Sequence, residues 1–166
     1  MVTIRKCHPN DQEATRGLIV EIMNHEFQKE SQSFPMNDLD DICSSYGKLG
    51  EAFFVAQENG RIVGTIGVKQ EDERTALMRR LFVDSAYRRK GIGSRLIERA
   101  VEFCREVGYD ELTFKTTSTM EHAVHLCEKK GFVAKAKLDV GPIRLLKFAL
   151  FLKEEPILSR GKKAAS

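Results

Sequence analysis

Three consecutive cations, Arg88-Arg89-Lys90, precede Gly91-Ile92-Gly93-Ser94, and from there apolar residues recur at helical spacing. The first N–H groups of a helix have no partner inside it, and the helix dipole favours an anion in front of them. Gly91 and Gly93 would let that anion approach without a Cβ in the way. Arg88, Arg89 and Lys90 add mobile positive charge. In chemical terms the segment is a pyrophosphate cradle. It is not the dinucleotide fingerprint, because the third glycine of G-x-G-x-x-G would fall at Leu96, and the chain has no G-x-x-x-x-G-K-[ST] loop.

A second group of reactive side chains is His122, His125 and Cys127. Residues three apart share a helix face but residues two apart do not, so the three do not converge, and a zinc site wants three or four converging ligands. No metal is expected. By itself Cys127 reads as a small buried residue on a helix face. Glu73 lies in a polar turn, where a carboxylate is ordinarily solvated.

These residues must be held by elements that the pattern outlines. Val2 to Lys6 reads as a strand, and Asn10 or Asp11 could cap the helix bearing Leu18, Ile19, Ile22, Met23 and Phe27. Ser33-Phe34-Pro35 interrupts, and Leu39, Ile42, Cys43 and Tyr46 mark a second helix. Ala52 to Ala56 and Arg61 to Val68 form a hairpin about Asn59-Gly60, and Leu77 to Val83 is the third strand of the meander. Ile92, Leu96, Ile97, Ala100, Cys104 and Val107 give a helix closed by Gly108. Glu111 to Thr116 is a strand, and Ser118-x-x-Glu121 has the form of a capping box for a helix ending at Gly131. Val133 to Val140 and Ile143 to Leu152 are two final strands around Gly141-Pro142. The order is β-α-α-β-β-β-α-β-α-β-β, a mixed α/β layout.

Composition bounds the class. The chain has 166 residues, 42% apolar and 31% charged, with a net charge of +3. These are values of one globular domain rather than a disordered chain. No apolar run approaches the ~18 residues of a membrane span, and no secretory signal opens the chain. Four scattered cysteines without a C-x-x-C pair argue against a disulfide framework. A cytoplasmic protein is expected, without membrane or nucleic-acid partners, since aromatic interleaving and a basic face are lacking. Residues 1–155 read as one domain and 156–166 as a disordered tail.

The R-x-x-G-x-G of Arg88, Gly91 and Gly93 resembles the acetyl-CoA motif of the GCN5-related N-acetyltransferase (GNAT) superfamily. There it lies between the fourth strand and third helix, after an apolar strand ending in Val. Ala123-Val124-His125-Leu126-Cys127-Glu128-Lys129-Lys130-Gly131-Phe132 is similar to the family's A-x-x-L-Y-E-K-x-G-F helix end. The intervening Val107-Gly108-Tyr109 and Leu112 to Thr116 are also similar, so the resemblance covers about 53–132.

The resemblance implies a GNAT-like acyl-CoA N-acyltransferase fold, a central twisted mixed sheet flanked by helices, and acetyl transfer from acetyl-CoA to a primary amine of a small molecule or protein. It places the pantetheine arm along Leu81, Phe82 and Val83, and the pyrophosphate on the backbone of Arg88, Arg89, Lys90, Gly91, Ile92, Gly93 and Ser94. A strand-four N–H near Phe82 or Val83 would stabilise the oxyanion. Two positions depart from the family. Cys127 stands where the usual proton-donating Tyr would be, and Leu77 stands where many members carry a Glu. The expected catalytic candidates are therefore Cys127 as donor and Glu73 as base. Phe27, Phe34, Met36 and Tyr46 would line an acceptor pocket, and Glu26, Glu30 or Asp38 could hold a cationic acceptor. Many relatives dimerise. The departures keep open a second reading, a non-catalytic acyl-CoA-binding sensor or regulatory module.

Overall fold

A computed structural model of the chain describes residues 1–28 and 35–153. Among them the expected order of elements is present: β1 (Thr3–Lys6), α1 (Gln12–Glu26), the one-turn α2 (Ile42–Ser45), β2 (Ala52–Glu58), β3 (Arg61–Gln70), β4 (Thr75–Val83), α3 (Ile92–Val107), β5 (Glu111–Thr117), α4 (Glu121–Lys129), β6 (Val133–Val140) and β7 (Ile143–Phe151). The strands form one sheet in the order β1-β2-β3-β4-β5-β7-β6. Only β4 and β5 run parallel, and α3 supplies the crossover such a pair requires. Glu30, Phe34 and the 156–166 tail lie outside the described residues.

The β2–β3 hairpin turns at Asn59 and Gly60, both with positive φ (50° and 77°), as a two-residue turn matching the sheet twist demands. Both central faces of the meander are covered. Phe54, Val63 and Ile66 face Leu96, Ile97, Ala100 and Cys104 of α3, while Phe53, Val55 and Ile62 lie under Ile19, Met23, Ile42 and Tyr46. Double burial explains why Ala52 to Ala56 is a continuous apolar run instead of an alternating one.

Two expected caps do not form. Asp11 stands before α1, but its carboxylate accepts from the His8 N–H at 2.8 Å and from both ends of the Arg5 guanidinium. Ser118 is still attached to the sheet, its N–H donating to the Arg144 carbonyl at 3.0 Å, so α4 begins only at Glu121 with Met120 before it. Gly108 does close α3 in the left-handed region, with φ 104°.

Candidate active site

The site is built on an interruption of β4. Its pairing with β5 runs from Thr75↔Glu111 to Met78↔Phe114 and stops, so the two strands part beyond that point. On the other side the register with β3 shifts, since Thr65 faces Phe82 whereas Gly67 faces Arg79. Two residues of β4, Arg80 and Leu81, therefore oppose the single Ile66, which is a β-bulge. Arg80 sits there at φ 57°, a left-handed conformation costing a non-glycine residue about 1–2 kcal/mol. The edge of β4 from Arg79 to Val83 thus has no strand partner on its β5 side. Such an edge can pair with the amides of an extended ligand.

What holds the bulge is a buried ion pair. Arg80 donates to both carboxylate oxygens of Asp38, at 3.1 and 2.6 Å, and to the Pro35 carbonyl at 2.6 Å. Tyr46 donates its hydroxyl to the same carboxylate at 2.7 Å. The side chains of Arg80 and Asp38 are only 4% and 8% exposed. Burial alone would raise the Asp38 pKa, but the hydrogen bonds from Arg80 and Tyr46 outweigh it and hold the carboxyl below its ordinary range. The sequence treated Asp38 as a possible anchor for a cationic acceptor and Tyr46 as pocket lining. Both are instead committed to Arg80, a residue the sequence reading did not single out.

After β4, Asp84 organises the turn, accepting from the Ala86 N–H at 3.0 Å and from Arg61 at 3.2 Å. Arg89 (φ 64°) and Gly91 (φ 80°) both adopt the left-handed conformation, bending the chain into a concave loop at the start of α3. Among the described residues, the N–H groups of Gly91, Ile92, Gly93 and Ser94 meet no protein acceptor. The cradle fits a phosphate group.

Three details differ from the sequence reading. Gly93 is buried, and a Cβ there would lie 2.6 Å from Leu126 Cδ1, so this glycine serves the contact of α3 with α4. Arg88 is not a mobile charge: its Nε donates to the Val83 carbonyl at 3.0 Å, and its two terminal nitrogens grip Glu26 at 2.8 and 2.9 Å. That bidentate pair fastens the end of α1 to the end of β4 and removes Glu26 as an anchor for a cationic acceptor. Lys90 lies over the Tyr87 ring, its Nζ 5.2 Å from the centroid.

Two cavities flank the bulge. The smaller, about 250 Å³, runs along Leu81, Phe82 and Val83 between Glu26, Phe27 and Arg88 on one side and Thr119 to Ala123, at the start of α4, on the other. The larger, about 480 Å³, occupies the opening between β4 and β5 and extends over the β6–β7 hairpin. Leu81, Phe82, Met120 and Ala123 line both, so the cavities meet at the bulge. Of the residues expected to line an acceptor pocket, Phe27 lines the smaller cavity and Met36 lines neither.

The structure does not bring the two catalytic candidates to this junction. Cys127 is fully buried in the core beneath α4 and lines neither cavity, and burial pushes its thiol up to about 12. A donor so far above the ordinary thiol value is poorly matched to a departing thiolate. Glu73 sits exposed in the β3–β4 turn, seven residues before the bulge. The strand residues from Thr75 to Arg80 alone, at ~3.3 Å each, separate it from the bulge by roughly 17 Å. His122 lines the smaller cavity, and desolvation, followed by the nearby positive charge of Arg88, lowers its pKa. No cluster of metal-binding side chains occurs among the described residues.

Residues 18–132 match the acetyltransferase (GNAT) family. The chain belongs to this family. Over 101 residues it is 35% identical to human N-acetyltransferase 8, covering 57% of this chain and 44% of that protein. It is 37% identical over 97 residues to the Danio rerio N-acetylaspartate synthetase, covering 57% of this chain and 34% of the relative. The Xenopus tropicalis probable N-acetyltransferase camello is 29% identical over 129 residues, covering 76% and 58%. The chain thus spans about half the length of the curated relatives it matches, or less. An N-acetyltransferase from Staphylococcus aureus Mu50 shares the GNAT fold with TM-score 0.79 at 21% identity, covering 92% of this chain and 99% of the other. The Salmonella typhimurium yncA structure with its cofactor acetyl-CoA has TM-score 0.77 at 20% identity, covering 93% and 95%. No helix among the described residues is long and apolar enough to cross a membrane.

Proposed function

We propose that this GNAT chain transfers an acetyl group from acetyl-CoA to a primary amine by direct attack in a ternary complex. One observation carries the reading: a cavity along the unpaired edge of β4 meets a second, larger cavity at the bulge, sharing Leu81, Phe82, Met120 and Ala123. A thioester lying along the first would present its carbonyl to an amine in the second. Acetyl-CoA supplies the activated acyl group. The chain's own parts bind and orient it: the N–H groups from Gly91 to Ser94 receive the pyrophosphate, and the β4 edge from Leu81 to Val83 receives the pantetheine amides. A β4 N–H beside the bulge stabilises the oxyanion, a type of contact worth roughly 3–4 kcal/mol. The relatives, two N-acetyltransferases and an N-acetylaspartate synthetase, favour the same chemistry.

The proton steps run without a dedicated pair of side chains. Among the described residues no carboxylate lines the larger cavity, Leu77 lines it where a base would be wanted, and Cys127 is sealed on the buried face of α4. Water at the cavity mouth then relays the protons. The same absences favour the sensor reading, in which acyl-CoA binds and no transfer follows.

Thermal unfolding with acetyl-CoA tests binding, since a ligand at 100 times its dissociation constant stabilises by about 2.7 kcal/mol. Free-thiol release in the presence of an amine panel tests transfer. Stabilisation with thiol release at the blank rate would establish the sensor; no stabilisation at millimolar ligand would remove both readings.

A further inference from the structure

The floor of the larger cavity carries a row of like charges that the fold does not need. Lys115 of β5 and Lys147 of β7 are directly opposed in the antiparallel register. Leu77 of β4 lies beside Thr113 of β5 in the parallel register, and Arg79, two residues on, shares its face, as Lys115 shares that of Thr113. Lys115 and Lys147 therefore stand side by side, Arg79 follows on β4 just past its last pair with β5, and all three line the cavity.

Like charges directly opposite one another destabilise a sheet, and little here offsets them. Of the three, only Lys147 has an ion-pair partner among the described residues: one Glu71 oxygen lies 3.8 Å from its Nζ, while the other accepts from the Thr113 hydroxyl at 2.9 Å. Asp38, the nearest other acid, has both oxygens taken by Arg80 and one shared with Tyr46. Among the described residues, the side chains of Arg79 and Lys115 make no ion pair and no hydrogen bond, although Asp38 is close enough to feel the charge of Arg79. The row begins at Arg79, immediately before the bulge where the acyl carbon would lie. Phe114, Leu138 and Leu145 supply apolar wall beside it.

Resting on the transferase reading, we propose that the acceptor is an amine bearing a carboxylate, of the amino-acid class. Arg79 and Lys115 take the carboxylate, the amine faces the bulge, and an apolar side chain lies toward Leu138 and Leu145. A free amine without an anionic group meets the cations of Arg79 and Lys115 with nothing to pair with them.

The test compares matched acceptors on the intact chain: phenylalanine, phenylalaninamide and phenethylamine, followed by thiol release from acetyl-CoA. The amide is less protonated than the amino acid at neutral pH, so basicity alone favours it. The expected result is at least tenfold higher kcat/KM for the carboxylate, about 1.4 kcal/mol in transition-state binding. Arg79→Gln and Lys115→Gln should narrow that ratio to within threefold, whereas Arg144→Gln, a charge loss outside the cavity, should not change it. Turnover of amide and amine as fast as the amino acid, or a ratio unmoved by Arg79→Gln and Lys115→Gln, overturns the assignment and leaves the transferase reading intact. Absence of acetyl-CoA stabilisation, or blank-rate thiol release with every acceptor, overturns the transferase reading and the acceptor with it.

Discussion

Replacing Arg80 by Met should be among the most costly single changes at the site. The guanidinium satisfies a carboxylate that is 8% exposed, and removing it leaves that charge with only the Tyr46 hydroxyl. Breaking one half of a buried pair costs about 3–5 kcal/mol. For a domain of this size 1 kcal/mol corresponds to about 2–4 °C, so the melting temperature should fall by about 6–20 °C. Asp38→Leu alone should cost a similar amount by stranding Arg80. Combining the two removes both charges and leaves mainly the Tyr46 hydroxyl unpaired, a cost of about 1–3 kcal/mol. The double variant should therefore be more stable than either single one. The pH dependence separates this account from a packing effect. In the wild type the Asp38 pKa is lowered, so its contribution is fully present above the unfolded value of about 3.9 and is lost as pH falls through the folded value. In Arg80→Met the uncompensated carboxyl is raised instead, so its neutral form is favoured and the deficit relative to wild type shrinks toward acid. Calorimetry of the four proteins from pH 4 to 8 reads both effects. Single variants costing under 1 kcal/mol, a double variant whose loss is the sum of the two, or a deficit independent of pH would refute the reasoning.

Other predictions follow from the same geometry. Gly93→Ala gains helix propensity but drives Leu126 toward the smaller cavity, so acetyl-CoA affinity should fall by tenfold or more in calorimetric titration, and Leu126→Ala in the same chain should restore it. Cys127→Ala removes a buried thiol that lines no cavity; it should lower stability by about 1 kcal/mol and leave kcat within twofold, and a large kcat loss with unchanged acetyl-CoA binding would reinstate the thiol as donor. Arg88→Lys keeps the charge but not the fork that joins Val83 to Glu26, so it should weaken acetyl-CoA binding about as much as Arg88→Ala does. Full retention of binding in Arg88→Lys would show that only the charge matters.

Elements whose signal is local were legible in the sequence. Asn59-Gly60 fixes its hairpin because both residues accept positive φ, and Ile92 to Cys104 fixes α3 because its apolar stripe has a helical period. The cradle was legible for the same reason: glycines and cations adjacent in sequence stay adjacent in space. The local signal misled where a distant residue outcompeted it. Asp11 has the right type and place to cap α1, but Arg5, six residues back across a turn, takes its carboxylate. Arg88 and Gly93 were assigned to an anion, yet Glu26 and Leu126, each more than thirty residues away, decide what they do.

The bulge is the extreme case. Nothing in Arg79-Arg80-Leu81 marks a left-handed residue, because arginine gains nothing from that conformation by itself. Arg80 adopts φ 57° only because Asp38, 42 positions earlier, supplies a buried counter-charge worth more than the strain. Arg79, its neighbour, has the same chemistry and the opposite fate, lining the cavity with no ion pair among the described residues. Two identical side chains in succession thus divide the labour, one locking the backbone that ends the pairing with β5 and the other lining the space that this opens. Exchange of either for lysine should separate the roles: Arg80→Lys loses the fork on Asp38 and with it stability, while Arg79→Lys keeps the cavity's charge and leaves stability within about 0.5 kcal/mol. Equal destabilisation by both would mean that the two arginines are not divided in this way.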